Sequence, residues 1–458
     1  MDIIASISTG TAATAIGIVR VSGDGCFALC DAVFRPMSGK AFSTAENRKM
    51  IYGDMLDKEG RVIDRGLAVR FAGPNSYTGE DSAEFHCHGS PVVLRELLSA
   101  LFAGGARQAA AGEFTRRAFL NGRLDLTQAE AVVDLIDAET AAAARNAAAQ
   151  LDGSLRRDFE TITDRLLDIT SRFYAVVDYP DEDIEDLQLS DITATLQTCD
   201  DTLSRLLATC DRGRVLKNGV RTAIVGRPNA GKSSLMNALA GFDRAIVTNI
   251  PGTTRDTVEE SVLCGGVRLR LIDTAGIRDT EDVVERMGVE RSRRAVETAD
   301  LVLAVVDSSI AFTEEDAAVL ALAAAHPNWI LISSKSDLPS APIPMLRFTD
   351  GHHAPAAEVS VSSVSGEGLA ELEAAVAALY PDGDIPDGGI LTAQRQQEAA
   401  LRARDAIRRA KEALEWGLTP DAVLTDAEEA LDALGELTGK TAREEIVSRI
   451  FERFCVGK

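Results

Sequence analysis

The chain has 458 residues, and its 45% hydrophobic and 26% charged side chains are typical of a folded globular protein, not a disordered one. Acidic residues outnumber basic ones by 71 to 48, giving a formal charge of -23, which argues against nucleic-acid binding by a basic surface alone. The start resembles no signal peptide and no apolar run is long enough for a membrane span, so we expect a cytoplasmic protein. Its 7 scattered cysteines predict free thiols.

The first 121 residues have the pattern of a small α/β domain. Residues 16–21 and 67–71 are apolar runs that end at turn residues, which predicts two strands. Residues 91–98 begin with proline and continue with helical spacing, which predicts a helix with Pro91 in its first turn. We therefore expect one mixed domain over residues 1–121.

The remaining residues alternate between two kinds of pattern. Residues 122–215 are alanine-rich with helical spacing, and the acidic stretch 178–186 within them favours a solvated loop over a metal site. Residues 216–380 alternate strands with helices, and 381–458 are helical again. The predicted strands are 221–225, 267–272, 301–306 and 329–333. The sequence thus predicts an α/β plus all-α protein, in which a domain with a mainly parallel sheet is inserted into a discontinuous helical domain.

Residues 226–233 read Gly-Arg-Pro-Asn-Ala-Gly-Lys-Ser and fit the phosphate-loop pattern G-x-x-x-x-G-K-[ST]. An apolar strand precedes this loop and a helical pattern follows it, as the chemistry requires, because loop amides and a helix N-terminus together bind phosphate. Lys232 can reach the β- and γ-phosphates, and the Ser233 hydroxyl can ligate Mg²⁺. The pattern predicts a nucleotide triphosphate site.

Two downstream motifs occur in the order that a nucleotide switch needs. The sequence Asp273-Thr274-Ala275-Gly276 follows a predicted strand, so Asp273 can hold the Mg²⁺ shell and the Gly276 amide can sense the γ-phosphate. Between this motif and the phosphate loop, residues 251–256 contain Thr253 and Thr254. A threonine there can complete the Mg²⁺ shell only when γ-phosphate is present, which predicts a switch segment.

A third group of residues indicates guanine over adenine. Asp337, in Ser334-Lys335-Ser336-Asp337, can accept hydrogen bonds from N1 and N2 of guanine, which adenine does not offer. The later Ser362-Ser363-Val364 can present a backbone amide to O6. The motifs are similar to those of translation-factor-related GTPases, except that their usual asparagine is replaced by Ser334.

The residue after Gly276 is Ile277, whose apolar side chain cannot orient the attacking water as the glutamine of Ras-like GTPases does. A downstream acid is one replacement. The candidates are Glu281, Asp282 and Glu285. A cation is the other, since Asn229 could offer an oxygen to a K⁺ that neutralises transition-state charge. The residues alone leave both open.

The closing residues Phe454-Cys455-Val456-Gly457-Lys458, together with the GTPase motifs, resemble the MnmE (TrmE) family of tRNA-modification GTPases, which ends in Phe-Cys-Ile-Gly-Lys. Further matching blocks are 16–23, 73–81, 91–94, 112–126 and 242–248. The resemblance covers nearly the whole chain. It departs from the family in residues 8–15, which replace a loop richer in proline and glycine, and at Arg395-Gln396, where the family usually has Arg-His.

The resemblance implies an N-terminal tetrahydrofolate-binding and dimerisation domain over 1–121, a helical domain over 122–215 and 381–458, and a GTPase domain over 216–380. It implies a homodimer and GTP hydrolysis linked to K⁺-dependent pairing of the GTPase domains. It also implies an FAD-containing partner of the MnmG (GidA) type, in a heterotetramer or larger complex. Together they would add a (carboxymethyl)aminomethyl group to C5 of the wobble uridine of certain tRNAs, with 5,10-methylenetetrahydrofolate as the one-carbon source.

The resemblance also assigns roles to single residues. Catalytic roles fall to Glu285, which matches a water-orienting glutamate, and to Lys232 and Asp273. The Mg²⁺ ligands would be Ser233 and Thr254, and the K⁺ ligands Asn229, Thr248, Ile250 through its carbonyl, and Thr253. The folate contacts would be Arg20, Glu84 and Arg123, with Lys458 nearby. The GTP-binding set comprises Asn229, Ala230, Gly231, Lys232, Ser233, Ser234, Thr248, Asn249, Ile250, Pro251, Gly252, Thr253, Thr254, Asp273, Thr274, Ala275, Gly276, Ser334, Lys335, Asp337, Ser362, Ser363 and Val364.

Several cysteine and histidine positions allow more than one interpretation. Cys455 is either a nucleophile whose pKa is lowered by Lys458, or a packed thiol that holds the tail at the folate pocket, and we favour the second. His86-Cys87-His88 lies in a predicted strand, where the two histidines share a face and Cys87 points away, so we expect no metal site there. Cys26 and Cys30 are expected to share a helix face.

An alternative function is a nucleotide-switched ribosome-assembly GTPase, since such proteins share the GTPase core and can share the K⁺ loop. They usually carry an appended RNA-binding domain, and the sequence shows no basic RNA-binding fold. The folate-like N-terminal blocks and the C-terminal Cys-Val-Gly-Lys also favour tRNA modification.

Overall fold

The computed structural model describes residues 2–10, 12–178, 189–242, 260–272, 293–342, 351–381, 389–452 and 454–457. The chain forms two compact units. The first comprises residues 1–136, 148–205 and 395–458, and the second comprises residues 137–147 and 206–394. Each unit is therefore built from segments that are far apart in sequence. The finer domain boundaries at 121, 215 and 380 stay a prediction.

The elements named below keep these labels. The helices are α1 (Cys26–Val33), α2 (Pro91–Ala103), α3 (Glu113–Leu120), α4 (Leu126–Ile136), α5 (Ala141–Leu151), α6 (Ser154–Asp178), α7 (Leu189–Leu207), α8 (Cys210–Asn218), α9 (Lys232–Phe242), α10 (Glu314–Ala324), α11 (Leu369–Leu379), α12 (Gln394–Glu415), α13 (Pro420–Thr438) and α14 (Glu444–Phe451). The strands are β1 (Ile4–Ile7), β2 (Thr14–Ser22), β3 (Phe34–Pro36), β4 (Ile51–Leu56), β5 (Val62–Phe71), β6 (Ser82–Gly89), β7 (Arg107–Gln108), β8 (Val220–Gly226), β9 (Glu260–Cys264), β10 (Val267–Leu271), β11 (Leu301–Asp307), β12 (Trp329–Ser334) and β13 (Ala357–Val361).

The amino-terminal part of the first unit is a seven-stranded sheet with the order β3-β4-β5-β6-β2-β1-β7. Strand β2 alternates, with Val19 and Val21 buried on one face and Arg20 on the other. Helices α1 and α2 cover the apolar face. Helix α2 has proline at its start and buries Leu94, Leu97 and Leu101 at helical spacing. The predicted strands at 16–21 and 67–71 and the predicted helix at 91–98 are confirmed as parts of longer elements.

Helices from the two separated helical segments pack together in the first unit, as predicted. Arg395 of α12 forms two hydrogen bonds to Glu130 of α4, at 3.0 Å from Nε and 2.9 Å from Nη2. Gln396 is fully buried and donates to Glu130 Oε2 at 2.8 Å. The departure from Arg-His at this position therefore leaves a buried amide that is paired with a carboxylate.

The second unit contains a six-stranded sheet with the order β13-β12-β11-β8-β10-β9, in which only β9 is antiparallel to its neighbour. Every residue of β11 is buried, as expected for a central strand of a parallel sheet with both faces covered. The four strands predicted in this region are confirmed as β8, β10, β11 and β12, each within one residue at either end. This sheet brings the carboxyl ends of β8, β11, β12 and β13 to one edge, where the predicted nucleotide motifs begin.

Candidate functional site

The phosphate loop connects the end of β8 at Gly226 to the first residue of α9, Lys232. Two residues in the loop have positive φ, Asn229 at 60° and Gly231 at 97°. These turns reverse the chain between strand and helix, so the amides of the loop and of the first turn of α9 are available at one helix N-terminus. The structure confirms the strand–loop–helix context that the sequence predicted.

The side chain of Lys232 folds back over this loop. Its Nζ donates to the carbonyl oxygens of Gly226 at 2.8 Å and Arg227 at 2.7 Å. Burial lowers the pKa of Lys232 below its ordinary value. A phosphate placed beside the ammonium group would oppose this effect by favouring the charged form. The two contacts therefore hold the ammonium group of Lys232 over the phosphate loop.

Arg227 is a residue whose contribution the sequence analysis missed. Its Nη1 donates to Asp316 Oδ2 and Thr313 Oγ1, both at 2.9 Å, and its Nε lies 2.9 Å from Glu315 Oε2. Thr313 and Asp316 form the capping box of α10. The phosphate loop is thus fixed to the start of α10. The sequence shows the Thr-x-x-Asp capping pattern at residues 313–316, but this pattern does not indicate that Arg227 contacts it.

The guanine motif lies next to the phosphate loop. Ser334, at the end of β12, is buried and its Oγ donates to the carbonyl oxygen of Ala230 at 2.6 Å. Lys335 Nζ lies 2.5 Å from Asp307 Oδ2 at the end of β11. Asp337 is exposed three residues beyond Ser334. These contacts bring together residues of the nucleotide set that are about a hundred positions apart in the chain.

The third loop follows β13 at the same edge. The backbone amide of Ser336 donates to Val361 at 3.3 Å, which joins the guanine motif to the end of β13. Ser362 is buried, and its Oγ accepts from the amides of Val364 at 3.3 Å and Ser365 at 3.1 Å. Its neighbour Ser363 lies in the same turn. The hydroxyl of Ser362 therefore shapes the loop whose amides were predicted to face guanine O6.

Part of the predicted site lies outside the described residues. This part comprises Thr248, Asn249, Ile250, Pro251, Gly252, Thr253, Thr254, Asp273, Thr274, Ala275, Gly276 and Glu285 of the nucleotide site, and Lys458 of the folate site. The described phosphate-loop residues Asn229, Ser233 and Ser234 are exposed.

In the first unit, two of the predicted folate residues meet. Arg20 Nη2 lies 2.8 Å from Glu84 Oε1, and each side chain is about one fifth exposed. The Arg20 guanidinium also lies over the rings of Tyr77 and Phe114, with centroid distances of 5.5 and 5.6 Å. Tyr77 and Phe114 lie in the matching blocks 73–81 and 112–126, but the sequence assigned neither a role. The Arg20 guanidinium therefore lies in a partly buried cluster of aromatic and charged side chains.

The third predicted folate residue, Arg123, is exposed beyond the end of α3. The loop that carries Tyr77 passes close to it: a Cβ added at Gly79 would lie 2.9 Å from Asn121 Cβ and 3.3 Å from Arg123 Cγ. Asn121 also donates to the carbonyl oxygen of Thr78 at 2.7 Å. The loop 73–81 therefore connects the Arg20–Glu84 pair with the segment that carries Arg123.

The carboxyl-terminal tail is attached to the same unit through its backbone and two phenylalanines. Val456 bridges Ala111, and the Gly112 amide donates to the Cys455 carbonyl at 3.4 Å. A Cβ at Gly457 would lie 2.3 Å from the Ile7 carbonyl oxygen, so this position needs glycine. Phe451 and Phe454 pack with their ring centroids 5.2 Å apart.

The interpretation of Cys455 as a packed thiol is wrong, because its side chain is exposed. Backbone contacts and the buried phenylalanines hold the tail without it.

We therefore expect Cys455→Ser to change the free energy of unfolding by less than about 0.5 kcal/mol, measured by urea denaturation. Because the variant stays folded, the level of modified wobble uridine in cells that carry it then measures the effect of the thiol on the modification reaction. Normal modification would rule out a nucleophilic thiol, whereas loss of modification in the folded variant would support one.

The predicted side-chain directions of His86, Cys87 and His88 and the shared helix face of Cys26 and Cys30 are confirmed. Cys87 is buried, while His86 and His88 share the other face of β6, paired with Glu84 at 3.4 Å and Asp64 at 2.8 Å. Cys26 and Cys30 are both buried on α1. In the part of the chain that the structure describes, no group of His, Cys, Asp and Glu is arranged to hold a metal ion. No helix in the described ranges is long and apolar enough to span a membrane.

Two family models together match nearly the whole chain. The MnmE helical domain family matches residues 126–455, and the N-terminal family of the GTP-binding protein TrmE matches residues 3–123. The chain is 44% identical to a tRNA modification GTPase MnmE of Heliobacterium modesticaldum, with 100% of this chain and 99% of that protein covered. Proteins of the same name from Symbiobacterium thermophilum and a Thermoanaerobacter species are 43% and 41% identical over the same shares. This chain belongs to the MnmE family of tRNA modification GTPases.

Proposed function

We propose that the chain hydrolyses GTP at the loops of the second unit while the wobble uridine of certain tRNAs is modified at C5. The contact between Ser334 Oγ and the Ala230 carbonyl at 2.6 Å carries the nucleotide part of this proposal. It places the guanine motif directly against the phosphate loop, as a single bound nucleotide requires. Base and triphosphate would then be held by loops at one edge of the same sheet.

In hydrolysis, water attacks the γ-phosphorus, the bond to the bridging oxygen breaks, and GDP leaves with its new terminal charge. Lys232 and the amides at the start of α9 stabilise the charge on the β- and γ-phosphate oxygens. Glu285 orients the water and Asp273 supports the Mg²⁺ shell. Because Ile277 cannot position water, this role would fall to the acid, while a bound cation would neutralise the charge that develops on the phosphates.

Two cations fit the donors of the phosphate loop. Ser233 is the second residue of α9, and its hydroxyl with that of Thr254 would hold Mg²⁺. Asn229 is exposed in the phosphate loop, and its amide oxygen is a ligand of the kind that suits K⁺, with Thr248, Ile250 and Thr253 as further ligands. Bound there, the cations would neutralise phosphate charge in the transition state.

The first unit would bind 5,10-methylenetetrahydrofolate. Glu84 can accept from the amino edge of a pterin, while the exposed ring of Tyr77 can stack beside it. Arg20 and Arg123, with Lys458, supply positive charge for a carboxylate tail. The observed Arg20–Glu84 pair supports the assignment, because a carboxylate held at a partly buried pocket wall is already oriented by its partner.

A homodimer through the first unit would cover an apolar strip on its sheet. Tyr52 of β4 pairs across the strands with Leu67 of β5, and Leu67 pairs with His86 of β6, so these side chains share a face. On the same face Ile16 pairs with His88. Tyr52, Leu67 and Ile16 are 52%, 39% and 61% exposed. A second copy of the chain would remove these side chains from water.

The tRNA and the FAD-containing MnmG-type partner complete the proposal. With a formal charge of -23, this chain has little capacity to hold tRNA by charge alone, so the partner in a heterotetramer or larger complex would supply much of the positive surface. We expect the isolated chain to bind tRNA weakly at physiological salt. Tight binding would contradict the role given to the partner. The proposal places the reaction in the cytoplasm, where tRNA is modified.

Titration with 5-formyltetrahydrofolate tests the role of the first unit. We expect the chain to bind this compound and Arg123→Ala to bind it at least about tenfold more weakly, because a hydrogen bond to a charged group is lost. Lys58→Ala is the matched control, since Lys58 is an exposed cation of the same unit and lies 3.7 Å from Glu59. Calorimetry measures both. No binding by the unaltered chain would contradict the folate assignment, and unchanged affinity in Arg123→Ala would exclude that residue.

A further inference from the structure

The hydroxyl of Ser334 is committed to protein contacts. Its residue is 4% exposed, and Oγ lies 2.6 Å from the Ala230 carbonyl oxygen and 3.1 Å from the Val306 carbonyl oxygen. Both neighbours are acceptors, and a serine hydroxyl has one hydrogen to donate. The shorter contact therefore uses the only proton of Ser334 to join β12 to the phosphate loop.

An asparagine, the usual residue of this motif, has a different capacity. Its amide carries two N–H donors, so one can hold a backbone carbonyl while the other remains for a ligand. Ser334 keeps the first of these functions and has no donor left for the second. Serine in place of asparagine therefore keeps the hydrogen bond to the phosphate loop but removes the donor that could face the base.

Guanine presents two acceptors on the edge that carries N7 and O6. In the proposed site, the amides of loop 362–364 serve O6, and Asp337 accepts from N1 and N2 on the opposite edge. N7 is then the acceptor that the second amide hydrogen of an asparagine would satisfy. With Ser334, this acceptor is left to solvent.

We propose that Ser334 makes this chain indifferent to the N7 position of guanine, so that it binds 7-deazaguanine nucleotides as well as natural ones. The inference rests on the proposed placement of guanine at Asp337. The absence of N7 recognition follows from one buried hydroxyl. A single substitution at Ser334 should therefore make the chain discriminate between guanine and 7-deazaguanine nucleotides.

Calorimetric titration with GDP and 7-deaza-GDP, which differ only in N7 against C–H, tests the proposal. We expect the unaltered chain to bind both within about twofold, and Ser334→Asn to prefer GDP by about fivefold or more, the effect of one added hydrogen bond. Ser334→Ala should weaken both equally, because it releases the Ala230 carbonyl without touching N7. A clear GDP preference in the unaltered chain, or none in a folded Ser334→Asn, would overturn the proposal.

The titration of Asp337→Asn separates this inference from the nucleotide assignment. An asparagine there can donate to the O2 of xanthine, so the variant should lose GDP affinity and gain affinity for xanthosine diphosphate. If it does neither, guanine does not lie at Asp337 and the placement of the base itself fails. If it does both while Ser334→Asn binds GDP and 7-deaza-GDP equally, only the role of Ser334 is wrong.

Discussion

Replacing Lys232 by alanine should lower kcat/KM for GTP hydrolysis by roughly 10²–10³-fold, the usual effect of removing one charge-stabilising donor from the transition state. The ammonium group is held by two loop carbonyls at 2.7 and 2.8 Å, so its position is fixed before the phosphates arrive. No neighbouring cation in the described phosphate loop can take its place, because Arg227 is turned towards Asp316 and Glu315.

Phosphate release during GTP hydrolysis measures this effect. Lys440→Ala is the control, since Lys440 is an exposed lysine of the first unit, and it should hydrolyse GTP at the normal rate. Thermal unfolding of both variants should match that of the unaltered chain within a few degrees. Near-normal hydrolysis by Lys232→Ala would contradict the role given to the phosphate loop.

Replacing Arg117 by methionine should destabilise the first unit by about 3–5 kcal/mol, because it leaves the buried Glu80 carboxylate without its cation and removes one of the two arginines that pair with Glu113. The Arg117 side chain is 4% exposed and lies 3.0 Å from both Glu80 and Glu113 and 2.7 Å from Asp2. These contacts join the start of the chain, the loop 73–81 and α3, which also surround the candidate folate residues. Urea denaturation of the full chain measures the loss.

The control for Arg117→Met is Lys49→Met, which breaks an ion pair between side chains that are 65% and 70% exposed. Such a pair contributes at most about 1 kcal/mol, so this variant should unfold at nearly the normal urea concentration. Equal losses of unfolding free energy in the two variants would show that the buried Arg117 contacts stabilise the fold no more than an exposed ion pair does.

The same network has a pH signature through Glu113. Burial alone would raise its pKa, but hydrogen bonds from Arg107, the Ala110 amide and Arg117 outweigh burial and lower the pKa to about 2. The ordinary value is 4.5, so the ionised carboxylate contributes stability above that pH and loses it as the pH falls towards about 2. The stability advantage over Glu113→Gln should therefore disappear across this window in urea denaturation. A constant advantage would contradict the assignment.

The sequence predicted the strand, loop and helix of the phosphate-loop motif because its signals are local. A strand, a glycine-bearing loop and a helix follow one another within residues 220–242, so pattern and structure coincide there. Strand β11 was predicted equally clearly, because residues 301–306 form an unbroken apolar run, as expected for a strand buried on both faces. Local patterns therefore predicted the ends of these strands to within one residue.

What the sequence could not predict depends on contacts between distant segments. The pairing of β1 with both β2 and β7, and the placement of Arg227 against Asp316, are set by packing and not by any spacing. The prediction for Cys455 was wrong for the same reason. Its motif indicates the position of the tail, but only the structure shows that backbone contacts hold the tail and that the thiol is exposed.

Mass spectrometry of wobble-uridine nucleosides, in cells with and without this chain, tests the proposed function most directly. Deletion should remove the aminomethyl-type group at C5, and the unaltered chain should restore it, whereas Lys232→Ala and Asp273→Ala should not. An unchanged nucleoside profile after deletion would contradict tRNA modification and favour a ribosome-assembly role for the same GTPase core.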